Sequence, residues 1–158
     1  MNQGAHAHIG KVVQKGFTLV EMMVVVVILG ILLTIGLVNL QSANTRAKEA
    51  SLRSNMHSFQ NLIELYSVDH NGFYPLDVAA VINDPEIGSQ ELLRSMQNPY
   101  TSLRGEGSAY DDDTVSPKQP GLLTYVSVSD LSSYAIYGYD GLVQPLQHNG
   151  SDFILSNH

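Results

Sequence analysis

Hydrophobic and polar positions divide this chain sharply. Residues 22–40, "MMVVVVILGILLTIGLVNL", carry no charged side chain, and only Gly30, Thr34, Gly36 and Asn39 interrupt the aliphatic run. About 20 such residues span a bilayer as a helix. The β-branched stretch from Val24 to Ile28 is a mediocre helix former in water. In lipid it must be helical, because every backbone N–H needs a partner within the segment. Beyond Asn39 the helical pattern continues in amphipathic form. Leu52, Met56, Phe59, Ile63 and Tyr66, with Leu62 beside them, form one stripe, and Arg46, Lys48, Glu49 and Arg53 fall off it. Asn71-Gly72 followed by Pro75 is a stop signal. The pattern predicts one helix of about fifty residues. Residues 17–45 form its membrane part and residues 46–71 its exposed part. The Met and aromatic positions of the stripe are read as core.

The remainder, residues 72–158, reads as a small α/β unit. Two short helices are expected near 76–82 and 89–97, the second with Ser89 as N-cap. Residues 101–121 are rich in Gly, Ser, Asp and Pro and are expected to be loop. Four strand-like runs follow, at 122–128, 133–139, 142–146 and 152–156. Asp140-Gly141 is a hairpin signal between the second and third, and Asn149-Gly150 is a further turn. Pro145 makes the third run an edge strand or ends it early. The expected class is α+β: a long N-terminal helix packed on an antiparallel sheet of three or four strands.

Composition narrows the function. At 158 residues there is room for one domain besides the apolar segment. The formal net charge is −7. Without residues 1–16 the count is six basic against fifteen acidic residues, a net −9, which argues against a broad phosphate-binding face. Only Arg94, Arg104 and Lys118 lie beyond the helix, so nucleic acid is not expected as a partner. With no cysteine there is neither a disulfide framework nor a thiolate metal site. His57 and His70 stand a little over three helical turns apart, too far for one metal ion, and His6 and His8 precede the helix. No nucleophile motif or phosphate loop occurs, so no enzyme is expected. Asp111-Asp112-Asp113 offers carboxylates to calcium, though without EF-hand spacing, and a solvated acidic loop is the simpler account. Tyr125, Tyr134, Tyr137 and Tyr139 fit cross-strand packing.

The start of the apolar run carries the sharpest signal. Lys11 and Lys15 precede it, which keeps the N-terminus cytoplasmic and places the rest of the chain outside. A secretory signal peptide, a plain signal anchor and a more specialised segment compete for it. Gln41-Ser42-Ala43 is a poor cleavage site after the run. Glu21 at its very start has no use in a plain anchor, since carboxylates in membrane helices are usually paired and functional. Its natural partner is a free α-amino group made by cutting between Gly16 and Phe17, an amine largely protonated at neutral pH. Glu21 lies one helical turn from that amine in its own chain, so the pairing is expected between neighbouring molecules.

The stretch "KGFTLVEMMVVVVILGILLTIGLVNL" resembles the class III signal of type IV pilins and type II secretion pseudopilins. The matching features are a polar leader, residues 1–16, ending in Lys15-Gly16, then Phe17, Thr18, Leu19, Glu21 and the long run. The resemblance implies cleavage after Gly16 by a prepilin peptidase, N-methylation of Phe17, and a role for Glu21 in assembly. Val38 stands where these families often have a proline, which favours an unbroken helix there. "NGFYP", "MQNPY", "PGLLTY" and "YAIYGYDG" are similar to later segments of such proteins. By the same resemblance, a calcium site in the C-terminal loops is an option and no other cofactor is expected. The implied function is a structural subunit of a type IV pilus or pilus-like filament. The major pseudopilin of a type II secretion system and a DNA-uptake pilin are the alternatives. The implied partners are copies of itself, the prepilin peptidase, an inner-membrane assembly platform and, before assembly, membrane lipid. The implied location is the inner membrane as a single pass, then a surface pilus or periplasmic pseudopilus.

Overall fold

The computed structural model describes residues 16–88 and 91–157. Ser89 and the leader residues His6, His8, Lys11 and Lys15 lie outside the described residues. The chain divides into two compact units between Leu40 and Gln41. One helix, α1 (Leu19–Asp69), supplies residues to both. It includes Val38, as expected where no proline removes an N–H. Its end is set by the expected signal: Asn71 and Gly72 take φ values of 56° and 87°, and the Gly72 N–H donates to Ser67 O at 2.7 Å. That is the reversed bond of a Schellman-type cap, with asparagine in the left-handed position.

In the unit that begins at Gln41, the exposed half of α1 is packed by its stripe. Leu52, Met56, Phe59, Leu62 and Ile63 are buried and Tyr66 half-buried. They share one core with Val78 and Val81 of α2 (Val78–Asn83), Leu93 of α3 (Glu91–Ser95), and Tyr125, Tyr134 and Ile136 of the sheet. Asp77 caps α2, its Oδ1 accepting from the Ala80 N–H at 2.8 Å.

The main sheet has the order β1–β2–β3–β6, from Tyr110–Asp112, Leu123–Ser127, Tyr134–Gly138 and Leu155–Ser156. The central pair β2 and β3 is antiparallel, with Tyr125 opposite Ile136, and β6 adds antiparallel to β3. Three differences from the sequence reading have physical causes. First, β1 lies inside the segment read as loop and pairs parallel with β2, so the sheet is mixed. Three residues, two of them aspartates, carry too little alternation to register as a strand. Second, residues 142–146 form no strand. The chain does reverse after Asp140-Gly141, but only Pro145 returns to pair, as a single bridge with Tyr139. Proline lacks the N–H that a longer ladder needs. Third, the run 152–156 is divided. Ser151–Asp152 (β5) pairs back on Gln147–His148 (β4) through the expected Asn149-Gly150 turn, and only Leu155–Ser156 joins the main sheet.

Candidate assembly site

The helix begins with a reciprocal cap. Glu21 Oε2 accepts from the Thr18 N–H at 2.8 Å and from Thr18 Oγ1 at 2.9 Å, while the Glu21 N–H donates to Thr18 Oγ1 at 3.2 Å. This is a capping box, in which threonine and a glutamate three residues on satisfy one another's orphan N–H groups. Sequence reasoning missed it, although threonine, two residues and glutamate ahead of an apolar run is its signature. The finding corrects one argument: a plain helix does have a use for Glu21, as the N-terminal cap of α1. It also narrows the residue's remaining capacity. Both threonine bonds fall on Oε2, and Oε1 accepts no hydrogen bond from the described residues. A carboxylate at a helix start further complements the positive end of the helix dipole.

Phe17 stands just before this cap, 78% exposed. From Leu19 to Leu40 every described side chain is exposed, on all faces of the helix. Thr34 turns its hydroxyl inward, donating to Gly30 O at 2.7 Å, so the polar group is satisfied within the helix. A helix that is apolar all round belongs in lipid or among other apolar helices. By length and composition, α1 can cross a membrane.

Other residues singled out by sequence resolve into local structure. The three aspartates are not brought together. Asp111 Oδ1 accepts from the Asp112 N–H at 2.8 Å, and Asp112 Oδ1 from the Val78 N–H at 2.8 Å. Asp113 Oδ1 accepts from Thr124 Oγ1 at 2.7 Å, Lys118 Nζ at 2.9 Å and the Tyr139 hydroxyl at 3.2 Å. Burial pushes the Asp112 carboxyl up. For Asp113 burial acts the same way, but the Thr124 and Lys118 bonds outweigh it and hold the carboxyl below its usual range. No group of three or more His, Asp or Glu among the described residues could hold a metal ion.

His57 packs edge-on to Phe153, their ring centroids 6.0 Å apart, and His70 stacks on Tyr66. Lys118 is held by Asp113, while Arg94 and Arg104 are exposed. The tyrosines act as packing groups. Tyr125 and Tyr134 stack at 6.1 Å, and Tyr134 donates to Glu64 Oε1 at 2.5 Å, which ties β3 to α1.

A long apolar helix, capped at an exposed Phe-Thr-Leu-Val-Glu start and continued by a small helix-on-sheet unit, defines a pilin-like structural subunit. Comparison with known proteins agrees. Residues 12–37 match the prokaryotic N-terminal methylation motif. The chain is 37% identical to the type II secretion system core protein G of Pectobacterium carotovorum over 73% of this chain and 75% of that protein. It is 37% identical to the core protein G of Dickeya chrysanthemi over 82% and 80%. It is 33% identical to the type IV wide pilus major component PilA4 of Thermus thermophilus over 58% and 72%. No solved structure matches it significantly. The chain belongs to the family of type IV pilins and type II secretion pseudopilins.

Proposed function

We propose that the chain is the repeating subunit of a pilus-type filament, made with a leader that is cut after Gly16. Phe17 is then the methylated N-terminus. The observation that carries this reading is the uncovered apolar helix that opens on a capped carboxylate. Before assembly lipid covers residues 19–40, and afterwards the same surface packs against the helices of other copies. Glu21 keeps Oε2 on Thr18 and offers Oε1 to the ammonium of a neighbour's Phe17. Removing two desolvated charges by pairing them is what lets a charged group enter an apolar bundle. The prepilin peptidase and an inner-membrane assembly platform are the partners this requires, and no cofactor or catalytic group enters it.

The coverage of the core protein G relatives favours one form of the filament, the periplasmic pseudopilus of a type II secretion system. A surface type IV pilus is the other form, favoured by the similarity to a wide pilus component. Loss of protein secretion on deleting the gene points to the first, and loss of surface filaments with normal secretion to the second.

The assembly role is tested by Glu21→Ala. The variant is expected to be processed and to remain in the membrane fraction, yet to be absent from sheared filaments. Filaments in normal yield would contradict the pairing.

A further inference from the structure

The unit that begins at Gln41 has two ends, marked by where its loops meet α1. A Cβ on Gly138 would come 2.7 Å from Met56 Sδ and 3.3 Å from Leu52 Cδ2. Arg53 Nη2 donates to Gln147 O at 3.0 Å. Segment 138–147 therefore lies at the end that carries Lys48 and Arg53. At the other end, Tyr74 N–H donates to Leu131 O at 2.9 Å and Ser127 Oγ to Leu76 O at 2.9 Å. That joins the helix C-terminus, residues 73–76 and the β2–β3 turn. Arg46 and Asp69 are separated by about 35 Å of helix.

The two ends are unlike. The first projects Leu142, 78% exposed, from a loop with little slack. Asp140 Oδ1 accepts from the Leu142 and Gln144 N–H groups at 2.8 and 2.9 Å. Val143 is held at φ 61°, a strained value for a β-branched residue. Arg46 is exposed there and makes no ion pair among the described residues. Lys48 and Arg53 share that end with Glu49, Asp140 and Asp152. The far end exposes Val68 at 76%, Leu76 at 63% and Phe73 at 53%. It carries Asp69, Asp77 and Asp130, while Asp84 is largely buried with an oxygen 3.8 Å from His70 Nε2, and no lysine or arginine occurs between Arg53 and Arg94.

We propose that this unit stacks end-on with a second copy, Leu142 and Arg46 of one against Val68, Phe73 and Asp69 of the next. The inference rests on the filament reading and names a contact within it. Both halves of the complementarity, apolar against apolar and cation against acid, are supplied by this one chain. Because the two surfaces differ, the contact is heterologous, and repeating it builds an open filament rather than a closed dimer. Pairing two far ends would oppose aspartate to aspartate, so the charges fix the direction of stacking.

The chain has no cysteine, so Leu142→Cys with Val68→Cys provides one designed cross-link. Assembled filaments of the double variant should give, on mild oxidation, a ladder of dimers and higher multimers, and neither single variant should give one. Filaments in normal yield without a ladder overturn the contact and leave the filament reading standing. Failure of the unmodified chain to form filaments overturns both. Charge exchange is the second arm. Arg46→Glu and Asp69→Lys should each lower filament yield several-fold, and together they should restore at least half of it. Single variants that assemble normally overturn the proposal.

Discussion

Asn98 shows how much of this fold hangs on single polar residues. It is fully buried, and its side chain uses every group it has. Nδ2 donates to Ser108 O at 2.8 Å and Pro120 O at 2.9 Å, and Oδ1 accepts from the Tyr100 and Thr101 N–H groups at 2.8 and 3.1 Å. Gly121 is the matching constraint. Its φ is 77°, and a Cβ there would stand 2.2 Å from Asn98 Oδ1. Each buried group left without a partner costs about 1–3 kcal/mol. Asn98→Ala removes four hydrogen bonds to backbone groups that are only partly buried, and at about 0.5–1.5 kcal/mol net for each it should destabilise the protein by at least about 2 kcal/mol. Urea unfolding in detergent measures this, and a loss below about 1 kcal/mol would contradict the assignment. In the sequence, Asn98 was visible only as part of a resemblance. Nothing in "MQNPY" says which carbonyls will come to meet its amide, because Ser108 and Pro120 arrive from a separate loop.

At the scale of elements, local patterns were legible and long-range pairings were not. The stripe Leu52, Met56, Phe59, Ile63 is buried as its spacing requires, and the Asn71-Gly72 stop holds. Strand β1 escaped because its pairing depends on β2, whose residues lie 13 positions away in register. The division of 152–156 depends likewise on a turn that draws Ser151 and Asp152 elsewhere. The capping box at Thr18 and Glu21 was legible but eclipsed by the more conspicuous charge. The interface between α1 and the sheet also sets a pH limit. Burial pushes the Tyr125 phenol well up, and burial together with the Glu64 bond does the same for Tyr134. An unfolded chain ionises these groups first, near pH 10. Stability from keeping them neutral is thus complete below about pH 10 and is lost as the pH rises through the folded values. Fewer than all eight tyrosines should then titrate before unfolding. Absorbance of phenolate, followed with near-ultraviolet circular dichroism, checks this, and full titration of a still-folded protein would contradict it.

For the whole molecule, the sequence divides labour between two units that obey different solvents. The described residues from Leu19 to Leu40 offer an apolar surface that no other described residue covers, and residues from Gln41 onward enclose a core of their own. In the proposed function such a surface is covered first by lipid and then by other copies of the chain. On this account processing at Gly16 is the step that converts one state to the other, since it creates the amine that Glu21 is placed to meet. Mass spectrometry of the N-terminal peptide of the assembled protein tests this most directly. The account predicts a chain that begins at Phe17 and carries one added methyl group on its amine. A filament subunit that retains Lys15 and Gly16 would contradict it.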